Sequence, residues 1–235
     1  MKTIGLIGGM SWQSTIPYYR IINETVQARL GGLHSARCIL WSFDFDEIER
    51  LQAAGDWEAA TDRMTAAGRA LAGAGAQLLA ICTNTMHRMA DEVEAAAGVP
   101  LVHIADATAA AVRATGCRRV GLLGTRFTME QDFYRGRLAR RGGLEVLVPD
   151  DAGRTAVHGI IYDELCAGLV REDSRRRFAA IIAQLAERGA EGVILGCTEI
   201  GLLVGPQDAC LPLFDTTQIH ARAVAEAALQ GAWQD

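Results

Sequence analysis

Small polar side chains and a thiol directly follow two short apolar segments of this chain. The run LLAI (78–81) leads into Cys82, Thr83, Asn84 and Thr85, and the run GVILG (192–196) leads into Cys197, Thr198 and Glu199. A cysteine can act as a base or nucleophile once its thiol is deprotonated. Hydroxyl and amide groups can bind a small anionic ligand. We therefore expect acid–base or nucleophilic chemistry where these two runs end.

The two segments correspond to each other. GAQLLAICTNT (75–85) parallels GAEGVILGCTE (189–199), and KTIGLIGG (2–9) resembles RRVGLLGT (118–125) at nearly the same separation. This alignment pairs Thr83 with Cys197, and Cys82 with Gly196. Because successive residues of a strand face opposite sides, Cys82 is then expected to point away from the side that Thr83 faces. Two matching pairs in the same order predict two similar α/β halves.

The elements that must position these residues alternate along the chain. Short apolar strands alternate with amphipathic helical patterns, which indicates α/β layers around parallel sheets. Helices are predicted from Pro17, near 56–73, 87–96, 130–141, 155–167, 172–188 and 217–230, with another ending near 115. We assign residues 1–103 and 214–235 to an N-terminal half and residues 104–213 to a C-terminal half. Ligands bind beyond the carboxyl ends of parallel strands, so facing halves would form a cleft at those ends.

Composition narrows the class of protein. A formal net charge of −5 argues against a general nucleic-acid-binding protein, and no apolar run approaches the length of a membrane span. The N-terminus MKTIGLIGGMSW is interpreted as a first strand and not as a signal peptide. The six cysteines are scattered without a CxxC pair. We therefore expect reduced thiols in a cytoplasmic protein.

The cofactor chemistries with clear sequence signatures are not indicated. Lys2 is the single lysine. It precedes the first strand, where it suits neither a pyridoxal-phosphate Schiff base nor a P-loop. GLIGGM (5–10) departs from GxGxxG, which disfavours a nicotinamide oxidoreductase. No closely spaced ligand pair predicts a metal site.

Four motifs resemble one known family. They are GLIGGMSWQST (5–15), NTMH (84–87), GCTEIGLL (196–203) and FDTTQIHA (214–221). Together they resemble the aspartate/glutamate/hydantoin racemase superfamily, most closely its aspartate-racemase branch. The resemblance implies two Rossmann-like α/β halves with parallel sheets related by a pseudo-dyad. It also implies an active site in the cleft between the halves, an amino-acid substrate, a homodimer and no cofactor.

The resemblance further implies two-base racemisation, with one thiol on each side of the substrate Cα. Cys197 matches the second-half cysteine, whereas Thr83 occupies the place where the family usually has the first cysteine. We therefore expect Cys197 to be the main base, Thr83 to donate or relay a proton, and the enzyme to prefer L-substrates. Donors near the thiol are expected to stabilise its thiolate form. The expected substrate contacts are Met10, Ser11, Gln52, Asn84, Thr85, Thr198 and Glu199.

Several alternatives stay open at this stage. Glutamate racemases usually have an aspartate-serine pair near the first strand and a histidine after the second Cys-Thr. Gly9-Met10-Ser11 and Glu199 stand at those places here, which favours the aspartate type. However, Cys166 stands where aspartate-specific members tend to have a lysine, so a broad-specificity amino-acid racemase is an alternative. A non-enzymatic two-lobed small-molecule binding protein is an alternative of another class. The polar strand-end residues could also be helix caps or turn residues, Gln52 could lie on a solvated helix face, and His87 and His220 could be core-edge histidines.

Overall fold

The computed structural model describes residues 1–230, and the chain divides into two compact units. One unit contains residues 1–103 and the chain from His220 onward, and the other contains Ile104–Ile219. The second boundary falls later than the predicted one at 213/214, because residues 213–215 form an edge strand in the sheet of the second unit. Residues 231–235, which we assigned to the N-terminal half, lie outside the described residues.

The first unit is built on a three-stranded parallel sheet. Its elements are β1 (Ile4–Gly8), α1 (Trp12–Leu30), β2 (Cys38–Ser42), α2 (Phe45–Ala54), α3 (Trp57–Gly73), β3 (Leu78–Ile81), a 3₁₀ helix at Thr85–Met89 and α4 (Ala90–Ala97). The strand order is β2-β1-β3, with parallel pairing throughout. The sheet is covered on both faces by apolar clusters, as expected for a parallel sheet.

The second unit is built on a four-stranded parallel sheet. Its elements are α5 (Ile104–Ala114), β4 (Arg119–Gly124), α6 (Arg126–Glu130), α7 (Asp132–Gly142), β5 (Glu145–Leu147), α8 (Asp151–Asp163), α9 (Glu172–Glu187), β6 (Gly192–Gly196), α10 (Ile200–Leu203), β7 (Leu213–Asp215) and the start of α11 (Thr216–Leu229). Short 3₁₀ helices lie at Leu165–Ala167 and Pro206–Asp208. The order is β5-β4-β6-β7, and the predicted parallel α/β fold is confirmed.

The strand register reproduces the sequence repeat. In the first unit Ile4 of β1 pairs with Leu78 of β3, and in the second unit Val120 of β4 pairs with Gly192 of β6. These are the positions that the alignment of the two halves makes equivalent. The register of β1 with β3 therefore matches the register of β4 with β6. Thr83 and Cys197 follow the equivalent strands β3 and β6.

Local predictions differ from the structure at several points, and the helix predicted near 155–167 is found at Asp151–Asp163. Helix α1 begins at Trp12 after the extended residue Ser11, so Pro17 lies within the helix and does not open it. At the sixth position of the helix, Pro17 cannot donate to the carbonyl of Gln13, although its fixed φ is compatible with helical backbone. Helix α2 was not anticipated, because its pattern is short. The apolar run PLVHI (100–104), which the strand–helix alternation predicts to be a strand, forms only an isolated bridge between Leu79 and Leu101.

Candidate active site

The end of β3 separates Cys82 from Thr83. Ala80 and Cys82 pack in the apolar cluster that contains Tyr18, whereas Leu79 and Ile81 pack in the cluster on the other face. Burial raises the pKa of the Cys82 thiol well above its usual value. Cys82 is therefore a core residue held in its neutral form. This is the orientation that strand alternation predicted.

The three polar residues that follow are all buried. The carbonyl oxygen of Thr83 accepts a hydrogen bond from Nδ1 of His87 at 2.7 Å. Asn84 has helical backbone angles, φ −73° and ψ −45°, and its side chain does not cap the 3₁₀ helix that starts at Thr85. The Asn84 side chain is therefore not a cap of this 3₁₀ helix. The bond from His87 instead fixes the backbone of Thr83, and it places the imidazole proton on Nδ1 because a carbonyl can only accept.

The turn after β1 is held closed by Thr15. Its Oγ1 accepts a hydrogen bond from the N–H of Gly9 and donates one to the carbonyl of Ser11, both at 2.9 Å. Gly9 has φ +85°, and a side chain there would collide with the backbone of Phe43. Glycine is therefore required at this close approach. Met10 and Ser11 are buried in the same turn.

Gln52 lies inside the first unit and not on a solvated helix face. It is on α2, its side chain is buried, and its Nε2 lies 3.1 Å from Sδ of Met86. Because Met86 directly follows Thr85, this contact joins α2 to the segment after β3. The structure therefore connects the predicted contact Gln52 with the polar residues at 83–85.

A thiol, a hydroxyl and a carboxylate meet at the end of β6. Sγ of Cys197 lies 3.0 Å from Oε2 of Glu199, and Oγ1 of Thr198 lies 2.9 Å from the same oxygen. Thiol and hydroxyl donate, and the carboxylate accepts. All three residues are buried, so the interactions take place away from bulk water. The Glu199 side chain does not cap α10, which excludes that simpler interpretation.

This arrangement favours the neutral thiol. Burial raises the pKa of Cys197 well above its ordinary value, and the negative charge of Glu199 raises it further. The pKa of the nearby Cys166 is also raised, by burial and then by Glu199. We expected donors that stabilise a thiolate. A backbone hydrogen bond from Glu199 does lower the pKa of Cys197, but burial and the Glu199 carboxylate outweigh it. The resting site therefore favours a protonated thiol that donates a hydrogen bond to the Glu199 carboxylate.

The motif at 214–221 positions the Cys197 segment. The hydroxyl of Thr216 donates to the carbonyl of Leu195 at 2.7 Å, and that of Thr217 lies 3.4 Å from the carbonyl of Thr198. The backbone N–H of Thr217 donates in turn to the Asp215 carboxylate at 2.8 Å. Sequence reasoning did not assign these supporting roles. Its only signal for them was the conspicuous Asp-Thr-Thr run itself.

Each unit thus gathers its own share of the predicted residues. The first unit holds Met10, Ser11, Gln52, Thr83, Asn84 and Thr85, and the second holds Cys197, Thr198 and Glu199. The pairing of Thr83 with Cys197 stays a prediction from strand correspondence. Across residues 1–230, no cluster of three or more His, Cys, Asp or Glu side chains could hold a metal ion. No helix in this range has the length and apolarity needed to cross a membrane.

Known proteins share both the sequence and the fold. Residues 7–224 match the Asp/Glu/Hydantoin racemase family. The crystal structure of "a putative Asp/Glu Racemase from Yersinia pestis" is 58% identical over 98% of this chain and 100% of that one, with a TM-score of 0.90. An aspartate racemase homologue from Pyrococcus horikoshii OT3 is 37% identical over 97% of this chain and 99% of that one, with a TM-score of 0.82.

A curated relative is more distant. The glutamate racemase of Synechococcus sp. (strain CC9605) is 28% identical over 155 residues, which span 62% of this chain and 51% of that protein. The family match covers both units, including the ends of β1, β3, β4 and β6. The chain therefore belongs to the Asp/Glu/hydantoin racemase family.

Proposed function

We propose that this protein is a cofactor-independent racemase that interconverts the L- and D-forms of aspartate or glutamate, with a preference for the L-enantiomer. One observation carries the proposal. A buried thiol bonded to a carboxylate, Cys197 with Glu199, follows β6, and a threonine, Thr83, stands at the equivalent position after β3. The two positions are chemically unequal, so exchange of the α-proton should be faster from the L-enantiomer than from the D-enantiomer.

The proposed reaction is a proton transfer at the substrate Cα. The Cys197 thiolate removes the α-proton of the L-enantiomer, so that a C–H bond breaks and an S–H bond forms. The electron pair is delocalised into the substrate carboxylate, where hydroxyl and amide donors stabilise the developing charge. Asn84, Thr85 and Thr198 supply such donors, and Met10 and Ser11 line the site. Thr83 delivers or relays a proton to the opposite face, and solvent restores both groups.

Glu199 is proposed to control the charge of the thiol. In the free protein burial keeps Cys197 protonated, and the Glu199 carboxylate adds to this effect because two negative charges this close are unfavourable. A substrate ammonium group bound by Glu199 offsets the carboxylate charge and lowers the pKa of the thiol. The substrate itself then promotes formation of the base. This role joins the predicted contact of Glu199 with the ammonium to its observed bond to Cys197.

Replacing the carboxylate should make Cys197 more reactive in the free protein. A thiol whose pKa lies above the working pH has a thiolate fraction that rises about tenfold for each unit by which the pKa falls. Glu199→Gln removes the charge that raises this pKa. We therefore expect iodoacetamide to alkylate Cys197 several-fold faster at pH 8 in Glu199→Gln than in the wild type, as measured by mass spectrometry of the Cys197 peptide. Equal or slower alkylation contradicts the proposed role, and Cys197→Ser/Glu199→Gln is the control for the site of reaction.

The substrate class follows from the family and from its relatives. Proteins named aspartate or Asp/Glu racemases are similar to this chain over nearly its whole length. Cys166 lies close enough to Glu199 for the charge of Glu199 to raise its pKa. Unlike a lysine, Cys166 has no ammonium group that could bind the side-chain carboxylate of an aspartate or glutamate substrate. Gln52 is likewise uncharged. A broad-specificity amino-acid racemase is therefore the second candidate.

The remaining parts of the proposal concern the cell and the assembly. All six cysteines are free thiols, which suits the reducing cytoplasm. The family resemblance implies a homodimer, and we adopt that assembly. No cofactor is required by the proposed proton transfers, because thiol, hydroxyl and carboxylate groups supply every proton step.

Exchange of the α-hydrogen in deuterated water tests the function directly. The purified protein, with no added cofactor, is incubated with a panel of L- and D-amino acids, and deuterium at Cα is measured by mass spectrometry. We expect rapid exchange of L-aspartate or L-glutamate and slower exchange of their D-forms. Exchange of the α-hydrogen in amino acids with many different kinds of side chain would favour the broad-specificity candidate. No exchange of any amino acid would overturn the proposal and favour the two-lobed binding protein.

A further inference from the structure

Helix α1 carries an exposed apolar stripe. Trp12, Ile16 and Tyr19 are 60%, 58% and 59% exposed, respectively. Steps of four and three residues place side chains on one face of a helix. The opposite face of α1 is buried in the first unit through Tyr18, Ile22 and other residues. Three large apolar side chains on the outer face of a helix are unusual for a surface that contacts only water.

Strand β2 extends this apolar surface. Leu40 is 51% exposed, and β2 lies at the edge of its sheet. Leu40 is on the α1 side of the sheet, because a Cβ built on Gly8 would lie 3.1 Å from Leu40 Cδ1 and 2.9 Å from Oγ1 of Thr15 in α1. We call Trp12, Ile16, Tyr19 and Leu40 the α1–β2 surface.

The edge of β2 lacks the usual protection against pairing. Exposed edge strands normally carry charges, prolines or bulges that prevent contact with another chain. The sequence of β2 is Cys-Ile-Leu-Trp-Ser, and it pairs residue for residue with β1. The carbonyl of Arg37 and the N–H of Phe43 bond to β1, so by alternation the backbone groups of Leu40 point outward. A further strand could bond there.

We propose that the α1–β2 surface is the homodimer interface, occupied by a second copy of this chain; this inference rests on the homodimer of the proposed function. An outward-facing residue at the centre of β2 makes the edge self-complementary. Two antiparallel copies of β2 centred on Leu40 exchange backbone hydrogen bonds about a two-fold axis. Such an axis makes the same patch serve both subunits.

The size and charge of the surface fit this partner. Aromatic side chains bury about 150–250 Å² each, so these four large side chains, each more than half exposed, offer several hundred Å². A standard interface takes roughly 800 Å² from each partner, so the paired β2 strands and the polar rim supply the remainder. Arg20 and Glu24 lie on the next turn of α1 and carry opposite charges. A patch with both signs at its rim does not repel its own copy, as a single-sign patch would.

Sedimentation of single-residue variants tests the proposal. Ile16→Glu and Leu40→Lys place charges at positions that are already exposed in one subunit, so folding of the subunit should be retained. We expect the wild type to sediment at twice the 25.2 kDa chain mass at tens of micromolar, and each variant to sediment at the single-chain mass. Matched controls are Leu169→Glu and Val170→Glu, which are 45% and 49% exposed in the second unit and should leave the dimer intact.

Each outcome decides the question. A monomeric wild type, or dimers that persist in both Ile16→Glu and Leu40→Lys, would overturn the proposed interface. Loss of the dimer in the controls as well would show a general effect of added charge and would also overturn it. Circular dichroism confirms that each variant is folded. Because sedimentation does not depend on turnover, the interface can hold even if the deuterium-exchange test of the proposed function fails, and the reverse is also true.

Discussion

Cys197→Ser is expected to lower α-deuterium exchange of the preferred L-amino acid by about 10²–10⁴-fold, the usual contribution of a positioned general base. The serine hydroxyl fits the same space, but it is far harder to deprotonate than a thiol. The bond to Glu199 can still form, so the variant should fold normally. Initial rates of deuterium incorporation in wild type and variant give the factor directly.

The controls for this result are other cysteines. Cys82→Ala changes the thiol that lies in the apolar cluster with Tyr18, and Cys210→Ser changes an exposed one. Both should keep exchange within a few-fold of the wild type, although Cys82→Ala should lower the free energy of unfolding because it removes buried volume. If Cys197→Ser retains more than about a tenth of wild-type exchange, Cys197 is not the main base. If Cys82→Ala abolishes exchange instead, the alignment of the two halves is wrong.

Thr83→Cys is expected to raise exchange of the D-enantiomer by about 10²-fold or more, again on the scale of a general base. A free thiol ionises near pH 8.5, whereas a hydroxyl is essentially never ionised at neutral pH. The substitution therefore gives the first unit a group that can remove an α-proton. It also restores the residue type that the family resemblance places there. The ratio of D- to L-exchange rates, measured on both enantiomers of one amino acid, should move towards one.

Thr83→Ser is the matched control, because it keeps the hydroxyl and changes only a methyl group. Exchange of the D-enantiomer should stay slow in this variant. If Thr83→Ser accelerates D-exchange as much as Thr83→Cys does, the effect comes from space and not from thiol chemistry. If the wild type already exchanges both enantiomers at equal rates, the proposed asymmetry between Thr83 and Cys197 is absent.

Much of the fold could be predicted because its signals are local and repeated. The alternation of apolar strands with amphipathic helices indicates parallel α/β sheets, and the internal repeat matches the observed register of β1 with β3 and of β4 with β6. The start of α1 could not be predicted in this way. Pro17 is a common first residue of helices, but the turn closed by Thr15 at Gly9 and Ser11 begins the helix at Trp12. The boundary near 214 was missed for a similar reason, since pairing of β7 with β6 is a long-range contact.

The sequence by itself determined which residue types stand at the strand ends and in which register. A period of two along a strand is enough to separate Cys82 from Thr83 and to align Thr83 with Cys197. Only the tertiary structure decided the state of the thiol. Burial of Cys197 and then the charge of the nearby Glu199 carboxylate raise the pKa of the thiol, whereas the sequence suggested stabilisation of a thiolate. The physical reason is that the position of a residue along a strand determines which face of the sheet its side chain occupies. The pKa of that side chain depends on the charges and the burial that other parts of the chain provide.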